Sequence, residues 1–167
     1  LSASTTYYWR IKFWDSADAE GAWSSTANFT MAGANSTPTA PTSLLTEGST
    51  NPTGVTDATP EFSAIYNDPD TSDSAVYYQI QVNSNSSFTG TTMWDSGKTS
   101  MSSISQGMRS GEISYAGTSL SASTTYYWRI KFWDSADAGS PWSSTANFIM
   151  AEPSTSSNIY FENINFD

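Results

Sequence analysis

Asp68, Asp70 and Asp73 fall within seven residues, Asn67 to Asp73 (NDPDTSD), and an oxygen-rich loop of this kind is the donor set a hard cation such as Ca²⁺ takes. The spacing is not that of a twelve-residue EF-hand loop and there is no terminal Glu, while Asp-Pro-Asp is also ordinary turn chemistry. The loop therefore reads as a Ca²⁺ candidate or as a plain turn, and Asp134 to Asp137 is a sparser version of the same. Exposed aromatic side chains are the other chemistry on offer. Trp94, Tyr127, Trp133 and Trp142 could stack against the sugar rings of a polysaccharide. The competing reading is a ladder in which Arg129 and Lys131 lie as cations between the rings. Sixteen Asp plus Glu allow some carboxylate pair for glycosidic chemistry, but no cleft signal accompanies one. The chain has no His and no Cys, which removes the commonest general base, every thiolate nucleophile, disulfides and zinc fingers. No catalytic residue is assigned, and no cofactor beyond the Ca²⁺ candidate.

The elements that would position these side chains are set by composition and by repetition. The 167 residues suffice for one ordinary domain with a remainder, or two small ones. Charged residues are 13% of the chain, Ser and Thr roughly a third, and seven Trp, nine Tyr and eight Phe supply the large apolar surfaces. That mixture suits an extracellular β-domain. A net charge of -10 repels nucleic acid and anionic membranes, and no run approaches the ~20 apolar residues of a membrane span.

Leu1 to Ala19 (LSASTTYYWRIKFWDSADA) recurs letter for letter as Leu120 to Ala138, and Trp23 to Phe29 recurs as Trp142 to Phe148, an offset of 119 residues. Identity over this length implies the same strands built twice in a tandem array. Residues 1–32 are then the C-terminal half of one repeat. Residues 33–43 (GANSTPTAPTS) form a Pro/Ser/Thr linker, 44–151 a complete repeat, and 152–167 a second linker and the start of something further. In NIYFENINFD the apolar residues Ile159, Phe161, Ile164 and Phe166 suggest a strand or two.

Short β-rich runs separated by Gly, Pro, Asn, Asp and Ser occupy the complete repeat: 59–67, 76–83, 91–95, 112–116, 125–134 and 143–150. Alternation through Tyr126 to Trp133 sends Tyr126, Trp128, Ile130 and Phe132 inward and Tyr127, Arg129, Lys131 and Trp133 outward. Tyr78, Ile80 and Val82 make a second inward row. Six or seven short strands in about 110 residues predict an all-β, two-sheet antiparallel sandwich.

Leu120, Thr124, Tyr126, Trp128, Arg129 and Ile130 stand at the spacing of the fibronectin type III pattern Leu-x-x-x-Thr-x-Tyr-x-hydrophobic-Arg-hydrophobic. This resemblance implies a tyrosine corner at Tyr126, with structural roles for Leu120, Trp128 and Arg129. Pro41 to Leu45 as first strand and TPEFSAIYNDPD as second strand and turn carry the likeness over nearly the whole complete repeat. The runs YYQIQV, WDSGK, YYWRIKFWDS and WSS make it most similar to bacterial fibronectin type III-like modules of surface proteins and of some rhamnosidases, upstream of the catalytic domain. Where the pattern has a core Trp on the second strand this chain has Ala64, and Trp128 or Trp94 is expected to refill the space.

The half-repeat 1–32 exposes a hydrophobic strand face that something must complete. In an excerpt from a longer protein the missing half lies upstream; in a whole subunit, strands of a neighbouring copy would complete it, with NIYFENINFD a donor, giving a head-to-tail filament. The excerpt needs fewer assumptions. The reading is a non-catalytic spacer or adhesion module of a secreted or cell-surface bacterial protein, whose partners are neighbouring repeats or copies of itself. A carbohydrate-binding module is the rival, and an accessory domain of a glycoside hydrolase stands third.

Overall fold

Runs rich in β-branched and aromatic residues, broken by small and polar turn residues, leave the chain only strands to build. The computed structural model describes residues 1–153, with no helix among them; the expected strand or donor segment within 158–167 lies outside the described residues. The chain divides into two units, Leu1–Ser36 and the remainder from Thr37.

The first unit is a hairpin. Strand β1 (Thr6–Trp9) pairs antiparallel with β2 (Ala27–Thr30), Tyr7 opposite Phe29. The intervening loop folds on itself: Asp15 Oδ1 accepts the Ala17 and Ala19 N–H groups, each at 2.9 Å, and Ser24 Oγ accepts the Ile11 N–H at 3.0 Å.

The second unit is the sandwich. Its strands are β3 (Thr39–Thr46), β4 (Thr53–Val55), β5 (Glu61–Asn67), β6 (Ser74–Asn83), β7 (Thr92–Asp95), β8 (Thr99–Ser105), β9 (Ile113–Ser114), β10 (Thr125–Asp134) and β11 (Ala146–Met150). One sheet runs β3-β5-β9; the other runs β4-β11-β10-β6-β7, with β8 also on β6. The 125–134 run forms as expected. Strand β3 begins at Thr39 and includes the first strand that the resemblance placed at Pro41 to Leu45, so the segment also expected to be linker up to residue 43 contributes to a sheet from residue 39, with Pro38 and Pro41 buried. A sheet-edge strand tolerates Pro because no ladder bond is lost on the open side. Ser43 has φ 52° where the β3–β5 register shifts between Thr42 and Leu45, marking a bulge. Strands β4 and β8 went unread in the sequence, the first being three residues long and the second mostly Ser. Pairing is antiparallel except where β4 runs parallel to β11, Ile149 opposite Thr53.

Between the sheets lies an aromatic core. Along β10, Tyr126, Trp128, Ile130 and Phe132 are buried and the alternate residues half-buried. Trp128, one of the two residues expected to refill the space at Ala64, is fully buried: its ring lies 4.7 Å from Phe62, and Phe148 lies 5.7 Å from Phe62. Phe132 meets Tyr66 edge-on at 5.9 Å. Each such ring contributes roughly 1.5–3 kcal/mol on burial. Tyr126 is the expected tyrosine corner, its hydroxyl accepting the Ser121 N–H at 2.9 Å, and Leu120 packs against the core beside it.

Candidate functional site

The outward positions of β10 and β6 share one sheet face. Their register sets Arg129 opposite Gln81, Lys131 opposite Gln79 and Trp133 opposite Tyr77. Trp142 comes onto this face because Ser143, its neighbour, is tied to β10: Ser143 Oγ accepts the Ile130 N–H at 3.1 Å and the Ser143 N–H donates to the Ile130 carbonyl at 2.9 Å. The result is a ladder of alternating rings and cations. Arg129 Cζ lies 4.0 Å from the Phe88 ring centre and 4.5 Å from that of Trp142. Lys131 Nζ lies 5.1 Å from Trp142 and 4.4 Å from Trp133. Lys98 Nζ continues the series, 5.0 Å from Trp133 and 4.6 Å from Tyr77, and forms an ion pair with Asp137.

A polar network flanks the ladder. Arg129 donates through Nε and Nη2 to Gln81 Oε1 at 3.0 and 2.7 Å; Gln81 and Gln79 in turn donate to the two oxygens of Asp95 at 2.8 and 2.7 Å. Burial pushes the Asp95 carboxyl up, but these amide donors, the Gly97 N–H and the Lys131 charge outweigh it, and the group ends below the ordinary Asp value. Burial likewise draws the Arg129 guanidinium down, with Asp95 acting against it.

Of the four aromatic candidates, Trp133 and Trp142 come together. Tyr127 lies on the same face of β10, paired with Asn83 and Asn147. Trp94 does not join them: it packs on the core, edge-on to Tyr115 at 5.5 Å and beside Phe62 at 6.4 Å. Sequence reading missed Phe88, Tyr77 and Lys98. Tyr77 was open to inference as the outward alternate of Tyr78, whereas Phe88 and Lys98 arrive from loops that only the fold brings near.

The acidic loop holds Asp68, Asp70 and Asp73 close enough for one oxygen of each to lie within 4.8 Å of the others. Its carboxylates also hold the local chain. Asp68 is buried; its Oδ2 accepts the Tyr66 hydroxyl at 2.6 Å and its Oδ1 the Asp70 N–H at 2.7 Å. Asp73 Oδ1 accepts the Ser74 N–H at 2.7 Å and the Ser135 hydroxyl at 2.9 Å. Burial, then Asp68, pushes the Tyr66 phenol far above its usual range. A second acidic group, Glu47, Asp57 and Glu61, was not foreseen, because its members are scattered over fifteen residues.

A groove is lined by Tyr78, Met101, Ile104 and Ile113 together with Ser102, Gly111, Glu112 and Ser114. Glu112 is the carboxylate in this lining.

Known proteins resemble this chain over most of its length. An alpha-L-rhamnosidase of Alteromonas sp. (strain LOR) is 37% identical over 116 residues, 66% of this chain and 12% of that protein. One of Formosa agariphila is 34% identical over 106 residues, 62% of this chain and 11% of that protein. This chain thus spans about an eighth of these relatives. Among solved structures, an alpha-L-rhamnosidase from Dictyoglumus thermophilum superposes with TM-score 0.62 at 29% identity, covering 74% of this chain and 14% of that one. The alpha-L-rhamnosidase of Streptomyces avermitilis, solved with L-rhamnose, gives 0.58 at 27% identity over 67% of this chain and 10% of its own. The rhamnosidase-associated module expected from the sequence is what these matches return, described as immunoglobulin rather than fibronectin type III, two kinds of domain that share the sandwich architecture. Matched over residues 1–35 and 41–152, the chain belongs to the family of Rha78A-like, N-terminal immunoglobulin domains.

Proposed function

We propose that this chain is a non-catalytic structural domain of a bacterial rhamnosidase-type protein, secreted or held at the cell surface, that spaces and supports the parts of the protein to which it is joined. The observation that carries the reading is the ladder. The rings that a sugar would stack on are faced by Arg129, Lys131 and Lys98 at 4.4 to 5.1 Å, so the aromatic surface serves to rigidify the outer sheet. No helix among the described residues is long and apolar enough to cross a membrane.

The test combines catalysis and binding on the 167-residue chain. An aryl α-L-rhamnoside assay is expected to show no turnover above buffer, and titration with L-rhamnose and rhamnose-containing oligosaccharides to leave the indole N–H resonances of Trp133 and Trp142 in place. Saturable shifts of those two resonances would establish the carbohydrate-binding reading instead, and turnover would establish an enzyme.

A further inference from the structure

Arg129 differs from the other cations of the ladder in how it is held. Its guanidinium lies between two rings, Cζ 4.0 Å from the centre of Phe88 and 4.5 Å from that of Trp142. One edge is fixed as well, because Nε and Nη2 both donate to Gln81 Oε1 while the Gln81 amide donates to Asp95 Oδ2. A planar cation gripped on both faces and along one edge has little rotamer freedom left to lose on binding. The opposite edge is formed by Nη1 and the second N–H of Nη2. Among the described residues Nη1 has no hydrogen-bond partner and Arg129 forms no ion pair. Lys98, by contrast, is paired with Asp137. Acids are not scarce, sixteen Asp plus Glu against six Lys plus Arg, yet the carboxylate of this network, Asp95, stands behind the neutral Gln81 amide.

The loop after β6 sets one jaw of this clamp. Phe88 has φ 58°, a left-handed backbone that a bulky residue adopts only under strain. Polar groups hold the loop closed around it: Asn83 Oδ1 accepts the Asn85 N–H at 2.9 Å, the Asn85 carbonyl accepts the Phe88 N–H at 3.0 Å, and Ser84 Oγ accepts the Thr91 N–H at 2.9 Å. We propose that the Nη1–Nη2 edge of Arg129 is a carboxylate-binding site, and that it takes an Asp or Glu side chain presented by a part of the protein to which this domain is joined. The proposal rests on the domain's being a structural support and names the chemistry of one contact it makes. A guanidinium fork matches a carboxylate with two parallel hydrogen bonds. A sugar acid fits less well, because Trp142 already faces Arg129 and Lys131, and Trp133 faces Lys131 and Lys98, leaving a pyranose no open ring to stack on. A phosphate polymer is opposed by the net charge of -10.

The test titrates the 167-residue chain with acetate, galacturonate and chloride at constant ionic strength. Acetate is expected to move the Arg129 Nε–H and Trp142 indole N–H resonances saturably, and chloride to leave both in place. Galacturonate should bind no more tightly than acetate. Arg129→Lys keeps the charge and loses the fork, so the acetate response of the Trp142 indole should weaken at least about tenfold. Phe88→Ala opens one face of the clamp and should weaken acetate binding about threefold. Chloride shifts equal to those of acetate, or a full acetate response in Arg129→Lys, would overturn the proposal. Galacturonate binding about tenfold tighter than acetate would overturn it too, by making the occupant a sugar acid. The structural reading fails on different measurements, turnover of the aryl rhamnoside or a response to neutral rhamnose, so the two failures are told apart.

Discussion

Trp128 is the largest fully buried side chain, and its indole Nε1 has no hydrogen-bond partner. An N–H removed from water without an acceptor subtracts from what the ring contributes. Trp128→Ala should destabilise the complete unit by about 3–5 kcal/mol in urea unfolding, by loss of apolar burial plus the cavity. Trp128→Phe should cost less than half of that, because the smaller ring keeps most of the apolar contact and, like Ala, carries no unmatched donor; a cost equal to that of Ala would show that a Phe ring does not fill the site. Tyr126 is the opposite case, a buried polar group whose partner is in place. Tyr126→Phe keeps the ring and orphans the Ser121 N–H, so a loss of about 1–2 kcal/mol is expected by the same measurement.

At the scale of the strand, β10 couples its two faces. The inward row anchors the sheet, and the outward row is held by rings and cations drawn from β6, from Phe88 and from the Trp142 loop. An exposed cation over a ring contributes about 0.5–1 kcal/mol. Arg129→Ala and Lys131→Ala should each cost about that much, and the double variant less than their sum, since both cations share Trp142; strict additivity in a double-mutant cycle would break the ladder into independent pairs. The turn between β3 and β5 makes a pH prediction. Hydrogen bonding with Glu47, then burial and the charges of Glu47 and Asp57, raise the Glu61 carboxyl. A raised carboxyl binds its proton more tightly folded than unfolded, so its contribution is present below the unfolded value and is lost as pH rises through the folded one. Glu61→Gln should therefore raise Tm at pH 7 and lose that advantage near pH 3; a gain equal at both pH values would remove the carboxylate repulsion as the cause.

Over the whole molecule, a charge of -10 sets the response to ions. Self-repulsion of the acidic surface weakens the folded state and is screened by salt. Raising NaCl from about 10 to 200 mM should lift Tm by a few degrees. Because the oxygens of Asp68 and Asp73 already hold Tyr66, Asp70, Ser74 and Ser135, Ca²⁺ and Mg²⁺ at matched ionic strength should act alike in a thermal scan. A Ca²⁺-specific rise would make the loop a metal site.

Period-two alternation was enough to read β10 and its inward row from the chain itself, because one buried face imposes its pattern on every second residue, while the tyrosine corner at Tyr126 followed from the resemblance to the fibronectin type III pattern. Letter-for-letter repetition likewise determined that one hairpin is made twice. Tertiary structure decided the remainder. Residues 39–43 read both as the end of a linker and, from Pro41, as the first strand, because Pro and Thr are compatible with extended coil and with an edge strand alike, and only the open side of β3 distinguishes the two. Trp94 and Trp142 are the same residue type in similar polar surroundings, yet one packs on the core and the other on the outer face, since a short strand or loop records no second residue of its own periodicity. Phe88 and Lys98 reach the ladder across loop closures that no local spacing encodes. Whether a hydrophobic row is a core or a bare surface is a property of what lies opposite it, which is why identical letters are buried in one unit and open in the other.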